Sequence, residues 1–172
     1  MSYLIISTLS KSDDKINDLF SSLSSQGKNV ELVSTESLNL SSCRGCSACW
    51  LKTPGICAIK DDWETLFRKF VKSDTVILVT EAKLGFVSYK LKNIIDRLIP
   101  LALPYLEIYK GEMRHTRRYK KRWNVALVYS GEGDRDFLTE WMERVTLNFF
   151  SKSLGVYNIE EYKGLFHELD HI

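Results

Sequence analysis

The feature that most restricts this chain is a pair of short apolar runs, Tyr3–Ser7 and Thr75–Thr80, in which polar residues do not alternate. A strand with one wet face alternates, whereas a strand covered on both faces does not. Both runs therefore predict interior strands of a parallel sheet. Thr75–Thr80, the more β-prone of the two, predicts the central one. Helical spacing fills the gaps between strands. Ile16, Leu19, Phe20 and Leu23 form one apolar stripe, stopped by Gly27. Trp63, Leu66, Phe67, Phe70 and Val71 form a second, with Asp61 or Asp62 as its cap. Val87, Leu91, Ile94, Ile95 and Leu98 form a third, ended by Pro100. Leu138, Trp141, Met142, Val145 and Phe149 form a fourth, with Gly155 as its stop. Val30–Val33, Asn124–Tyr129 and Val156–Tyr162 supply three more strands. The tail to Ile172 is too short and polar to assign. Strands alternating with helices predict an α/β fold: a doubly wound five-stranded parallel sheet of order 2-1-3-4-5, with helices on both faces.

A sheet of this kind binds ligands beyond the carboxyl ends of its strands, at the switch between the first and third strands. The candidate site loops are then Ser7–Lys15, Thr80–Phe86 and Ser130–Asp134. At 172 residues and 44% hydrophobic content, the chain has room for one domain, 1–172, with a sizeable core. The opening residues have no basic segment followed by a long apolar one, and Pro100 and Pro104 interrupt the longest apolar run. No signal peptide or membrane contact is expected, and the cytoplasm is the expected compartment. The net charge of +2 conceals an asymmetry. Seven Lys or Arg and one acid lie between Lys110 and Arg122, which leaves 17 basic and 21 acidic residues elsewhere. Basic character thus belongs to one insertion, at about 101–122, and not to a whole face, which argues against nucleic acid as a partner.

All four cysteines, Cys43, Cys46, Cys49 and Cys57, fall within one stretch of C-x2-C-x2-C-x7-C spacing. In a reducing compartment this spacing points to a cluster, a metal or redox chemistry before a disulfide. Four thiolates at this spacing can hold a 4Fe–4S cluster. A zinc site is the weaker fit, because zinc knuckles usually come as two separated pairs. Buried, reduced thiols packing a compact loop explain the stretch equally well, and a redox pair of Cys46 and Cys49 is a further reading. His167, Asp170 and His171 lack partner spacing, so no other metal is expected.

The stretch from Cys43 to Asp62, with its internal Trp50-Leu-Lys-Thr-Pro-Gly55, resembles the segment after the second strand in NADPH-dependent FMN reductases and iron–sulfur flavoproteins of the flavodoxin-like superfamily. Gly85-Phe-Val-Ser88-Tyr-Lys-Leu91-Lys92-Asn-Ile-Ile-Asp96-Arg97 resembles the helix after their third strand. The resemblance implies a flavodoxin-like sheet with FMN at its carboxyl edge and NAD(P)H as transient hydride donor. It places the phosphate in the first loop, near the hydroxyls of Ser7, Thr8, Ser10 and Ser12 and the cations Lys11 and Lys15. It places the isoalloxazine ring against Thr80, Glu81, Ala82, Lys83, Leu84, Gly85 and Phe86, with Ser130, Gly131 and Gly133 on the other edge. The sequence departs from the family pattern in two loops. Asp13 and Asp14 stand at the first helix start, and Glu81 and Lys83 replace a proline and an aromatic residue. Within the insertion, His115, Arg117 and Arg118 suggest contacts to an anionic substrate or the 2′-phosphate of NADPH; a solvated basic loop on a neighbouring subunit is the plainer reading. The resemblance implies a homodimer or homotetramer and a small electron acceptor such as a quinone or flavin. An iron–sulfur electron carrier and a cofactor-free flavodoxin-like binding module are the alternative functions.

Overall fold

The computed structural model describes residues Met1–Ile172, in the order β1 (Ser2–Ser7), α1 (Asp14–Ser25), β2 (Asn29–Ser34), α2 (Ala48–Leu51), α3 (Trp63–Lys72), β3 (Thr75–Val87), α4 (Tyr89–Asp96), β4 (Ala102–Tyr109), β5 (Glu112–Arg117), β6 (Asn124–Gly133), α5 (Arg135–Asn148), β7 (Lys152–Asn158) and α6 (Lys163–Leu169). Five strands pair in parallel, in the order β2-β1-β3-β6-β7, while β4 and β5 form a separate antiparallel hairpin. With the hairpin set aside, this is the doubly wound order expected from the sequence.

The unalternating runs behave as the pleat requires. Leu4, Ile6, Val76 and Leu78 point to one face, where Trp63, Leu66, Phe70, Leu91, Ile94, Leu138 and Met142 cover them. Tyr3, Ile5, Ile77 and Val79 point to the other, against Ile16, Leu19 and Leu23 of α1 and Leu165 and Leu169 of α6. Helix α6 lies in the tail left unassigned above. Only Leu165 and Leu169 of its seven residues are buried, too few for a periodic signal.

Several boundaries move. The stretches Thr80–Phe86 and Ser130–Asp134, expected as loops, are largely strand. β3 and β6 run on past the sheet as a two-stranded ribbon, pairing Glu81 with Ser130, Ala82 with Gly131 and, beyond a bulge, Gly85 with Gly133. Gly155 does not stop α5. The helix ends at Asn148, and Phe150 takes the left-handed φ of 56°. Strand β7 consequently starts earlier than expected, and Gly155 lies inside it. Asp62 occupies the N-cap position of α3 without a capping bond, because its carboxylate accepts from the Asn39 amide instead. The basic insertion is the β4–β5 hairpin and its exit.

Candidate functional site

Beyond the end of β1, three hydroxyls are tied together. Thr80 Oγ1 lies 2.8 Å from Ser88 Oγ, and Thr8 Oγ1 lies 3.0 Å from Thr80 Oγ1 and 3.4 Å from Ser88 Oγ. Ser88 is the N-cap of α4, so this knot joins β1, β3 and a helix start. Ser7, Thr8 and Thr80 are buried. Assigned from the sequence as flavin contacts, their side chains form the floor beneath the first loop and leave its rim to others. Ser88 was missed, although a serine just before a helical apolar stripe is itself a cap signal.

The rim is Ser10, Lys11 and Ser12, all solvent-facing. Ser10 Oγ donates to Glu36 Oε2 at 3.3 Å, and the Lys11 amide donates to the same oxygen at 3.0 Å. Ser12 Oγ lies 3.1 Å from Ser10 Oγ. The loop thus converges a hydroxyl and an amide on one anionic oxygen, which a phosphate oxygen matches in charge and acceptor chemistry. The donor set fits a phosphomonoester; the acceptor it holds is the carboxylate of Glu36. Glu36 gave no signal in the sequence, because it meets the loop only from the turn that follows β2. Asp13 caps α1 by accepting from the Lys15 amide at 3.0 Å. The Lys15 ammonium, expected near the phosphate, pairs with Glu160 instead.

The paired ribbon carries the two expected ring walls. Ala82 is buried in it, while Glu81 and Lys83 form an exposed ion pair at 3.2 Å. At its crest Leu84 is 97% exposed, with a φ of 52°, followed by Gly85 with a φ of 79°. Phe86 turns inward, edge-on to Trp141 with 4.9 Å between ring centroids. The ribbon therefore offers a solvent an apolar tip and glycine backbone, and its charged pair neutralises itself.

The cysteine stretch wraps a niche of about 50 Å³, lined by all four cysteines together with Trp50 and Ile99. The thiols are unbridged. Cys43 and Cys46 are exposed, and Cys49 and Cys57 are half-buried. Burial, followed by the charge of Cys57, pushes the Cys49 thiol up. No group of three or more Cys, His, Asp or Glu side chains in this arrangement is spaced to hold a metal ion. Beside Cys57 lies a buried ion pair that the sequence reading did not single out. Asp61 and Arg97 have side chains only 2% exposed and bond in bidentate fashion, at 2.7 and 3.0 Å. Arg97 also donates to the Ser41 carbonyl at 2.9 Å and to Cys57 Sγ at 3.3 Å. Asp61 accepts from the Ser41 and Trp63 amides. Both ends of the cysteine stretch are thereby fastened to the end of α4.

Two of the three insertion residues assigned to substrate, Arg118 and His115, are engaged within the chain. Arg118 Nε donates to the Pro100 carbonyl at 2.9 Å. His115 packs on Trp50, with ring centroids 4.6 Å apart, and Trp50 Nε1 donates to the Ala102 carbonyl at 3.0 Å. These contacts latch the cysteine stretch to the hairpin.

With the doubly wound order and the carboxyl-edge loop in view, comparison with known proteins is decisive for the fold. No family model matches the chain. A solved structure of the NAD(P)H:quinone oxidoreductase from Methanothermobacter marburgensis superposes with a TM-score of 0.59, covering 99% of this chain and 93% of that one at 13% identity. The chain has the flavodoxin-like fold. RosB with bound 8-demethyl-8-formylriboflavin-5′-phosphate also superposes, at a TM-score of 0.64 and 13% identity, covering 92% of this chain and 64% of that one. In sequence, an iron–sulfur flavoprotein of Archaeoglobus fulgidus is 30% identical over 124 residues, 72% of this chain and 50% of that protein. The chain spans about half the length of the curated relatives it matches.

Proposed function

We propose that this chain is an FMN-binding, NAD(P)H-dependent oxidoreductase that passes electrons to a small acceptor, such as a quinone or free flavin. The observation that carries this reading is the anion cradle at Ser10 and Lys11, at the carboxyl edge of a flavodoxin-like sheet. When bound, the flavin supplies the hydride and electron chemistry. The chain supplies placement. Ser10 Oγ and the Lys11 amide hold the phosphate, with the Lys11 side chain adding charge. The Thr8–Thr80–Ser88 knot fixes the cradle to the sheet. The ribbon crest at Leu84 and Gly85 gives the ring an apolar and backbone surface that excludes water from one side.

Glu36 competes with the phosphate for both donors. Its neutral replacement, Glu36→Gln, removes a like charge beside the bound phosphate. It is expected to tighten FMN binding by about tenfold, roughly 1.4 kcal/mol. Quenching of flavin fluorescence on titration measures this. If neither protein takes up FMN at micromolar concentration, the reading fails.

A second reading, an iron–sulfur electron carrier with a flavin alongside, is supported by the iron–sulfur flavoprotein relatives and requires the four thiols to draw closer than their present spacing. Iron and sulfide analysis after anaerobic purification and reconstitution tests it, and an iron-free product dismisses it. A homodimer or homotetramer also belongs to the proposal. It is supported by Leu106, Ile108 and Met113, which stand exposed on the hairpin, and light scattering of the purified protein tests it.

A further inference from the structure

Three cations of the hairpin region, Lys110, Arg117 and Arg122, line one concavity of about 410 Å³ between the hairpin and the end of α5. Their neighbours are already engaged. Arg114 and Arg144 share Glu112, Arg118 is held by the Pro100 carbonyl, and Lys121 pairs with Asp74. The side chains of Lys110, Arg117 and Arg122 have no ion-pair or hydrogen-bond partner in the fold; that of Lys110 only approaches the ring of Tyr109, its ammonium 5.7 Å from the centroid. Thr116, on the same wall, keeps a buried hydroxyl without a partner. Such a hydroxyl is uncommon in a finished structure.

The charges can be set against one another. Glu107 is the one acid lining the concavity. The carbonyl end of α5 adds about half a negative charge. Three cations less these leave an excess of roughly one and a half positive charges, which solvent alone screens. A phosphomonoester carries about the opposite charge at neutral pH, −1.5 to −2. Tyr109 and Phe150 lie on the same walls and present aromatic surface to a planar ring.

We infer that this concavity is a nucleotide site, holding a phosphomonoester on Lys110, Arg117 and Arg122 and a nucleobase against Tyr109 and Phe150. It shares no residue with the carboxyl-edge cradle and does not rest on the flavin reading.

The test is calorimetric titration of the whole chain with AMP, adenosine and inorganic phosphate, each at low and high salt. AMP is expected to bind, more tightly than phosphate, and to weaken as salt rises; adenosine is expected to bind at least about tenfold more weakly than AMP. Arg117→Gln with Arg122→Gln is expected to weaken AMP by about tenfold or more while leaving FMN titration unchanged. Lys110→Gln sits in the exposed turn and carries little folding risk. It is expected to weaken AMP several-fold, and it keeps the test valid if the double variant does not fold. AMP binding that survives these substitutions, or adenosine binding as well as AMP, overturns the assignment. So does the absence of AMP binding at millimolar concentration. An oligonucleotide bound more tightly than AMP through the same three residues also overturns it, in favour of a nucleic-acid surface.

Discussion

Asp61→Asn is expected to be the most damaging single substitution in the chain. It leaves the Arg97 guanidinium, 2% exposed, without its counter-charge. Breaking one side of a buried pair costs about 3–5 kcal/mol, because a desolvated charge is left uncompensated. For a chain of this size the melting temperature should fall on the order of 10 °C. Thermal melts measure the loss, and a fall under about 2 °C would show the pair to be dispensable. The double variant Asp61→Leu with Arg97→Met should melt above Asp61→Asn, since it removes both charges instead of stranding one. Because the pair fastens Ser41 and Cys57, Asp61→Asn should also speed thiol labelling at Cys49 and Cys57. The same carboxylate predicts a pH dependence. Burial alone would raise its pKa, but hydrogen bonds from Arg97 and from the Ser41 and Trp63 amides outweigh burial and hold it at about 2. Asp74, bonded to Lys121 and Ser2, is also held at about 2. Both lie below the unfolded value of about 3.9. Their stabilisation is therefore complete above about pH 4 and is lost as pH falls through 2. Asp61→Asn should flatten that acid limb, and acid titration of the melting temperature reads it.

Gly131→Ala is expected to have the second-largest effect. Gly131 has a φ of 81°, and a Cβ there would lie 2.7 Å from the Ala82 carbonyl oxygen. The contact is backbone against backbone, so no rotamer relieves it. Left-handed geometry costs a non-glycine residue about 1–2 kcal/mol, and the clash adds roughly 1–3 kcal/mol. The ribbon must part locally or the strand must shift. Melting should drop by about 6–12 °C, and FMN binding should weaken with it. A variant with wild-type melting and wild-type FMN affinity would show that the ribbon pairing is not needed for either property.

The parts of the fold that the sequence made legible are those where burial dictates composition. Tyr3–Ser7 and Thr75–Thr80 could not sit on a wet face, and the helical stripes between them left few alternatives to a doubly wound sheet. The ribbon was not legible. Glu81, Lys83 and Leu84 are exposed strand residues with no core to pattern them, and they resemble a loop. In the candidate site, the sequence marked three segments at the carboxyl edge, but neither the strand character of two of them nor the side-chain contacts. Lys15 turns to Glu160, Thr80 turns to Ser88, and Glu36 enters the cradle from the turn that follows β2. These outcomes depend on contacts between residues 8 to 145 positions apart, which local spacing does not encode.

The hairpin leaves and rejoins the chain at nearly one point. The Arg118 amide donates to the Leu101 carbonyl at 2.9 Å, and Ala102 pairs with Arg117. The main sheet therefore meets this excursion as a closed loop, and loop-closure entropy grows only logarithmically with length. The tip could lengthen, shorten or change its charge with little penalty to the sheet. The base could not, because the Ala102 carbonyl there receives Trp50 from the cysteine stretch. The excursion is thus a cassette whose outer half is free to diversify in recognition while its inner half stays bound to Trp50 of the cysteine stretch.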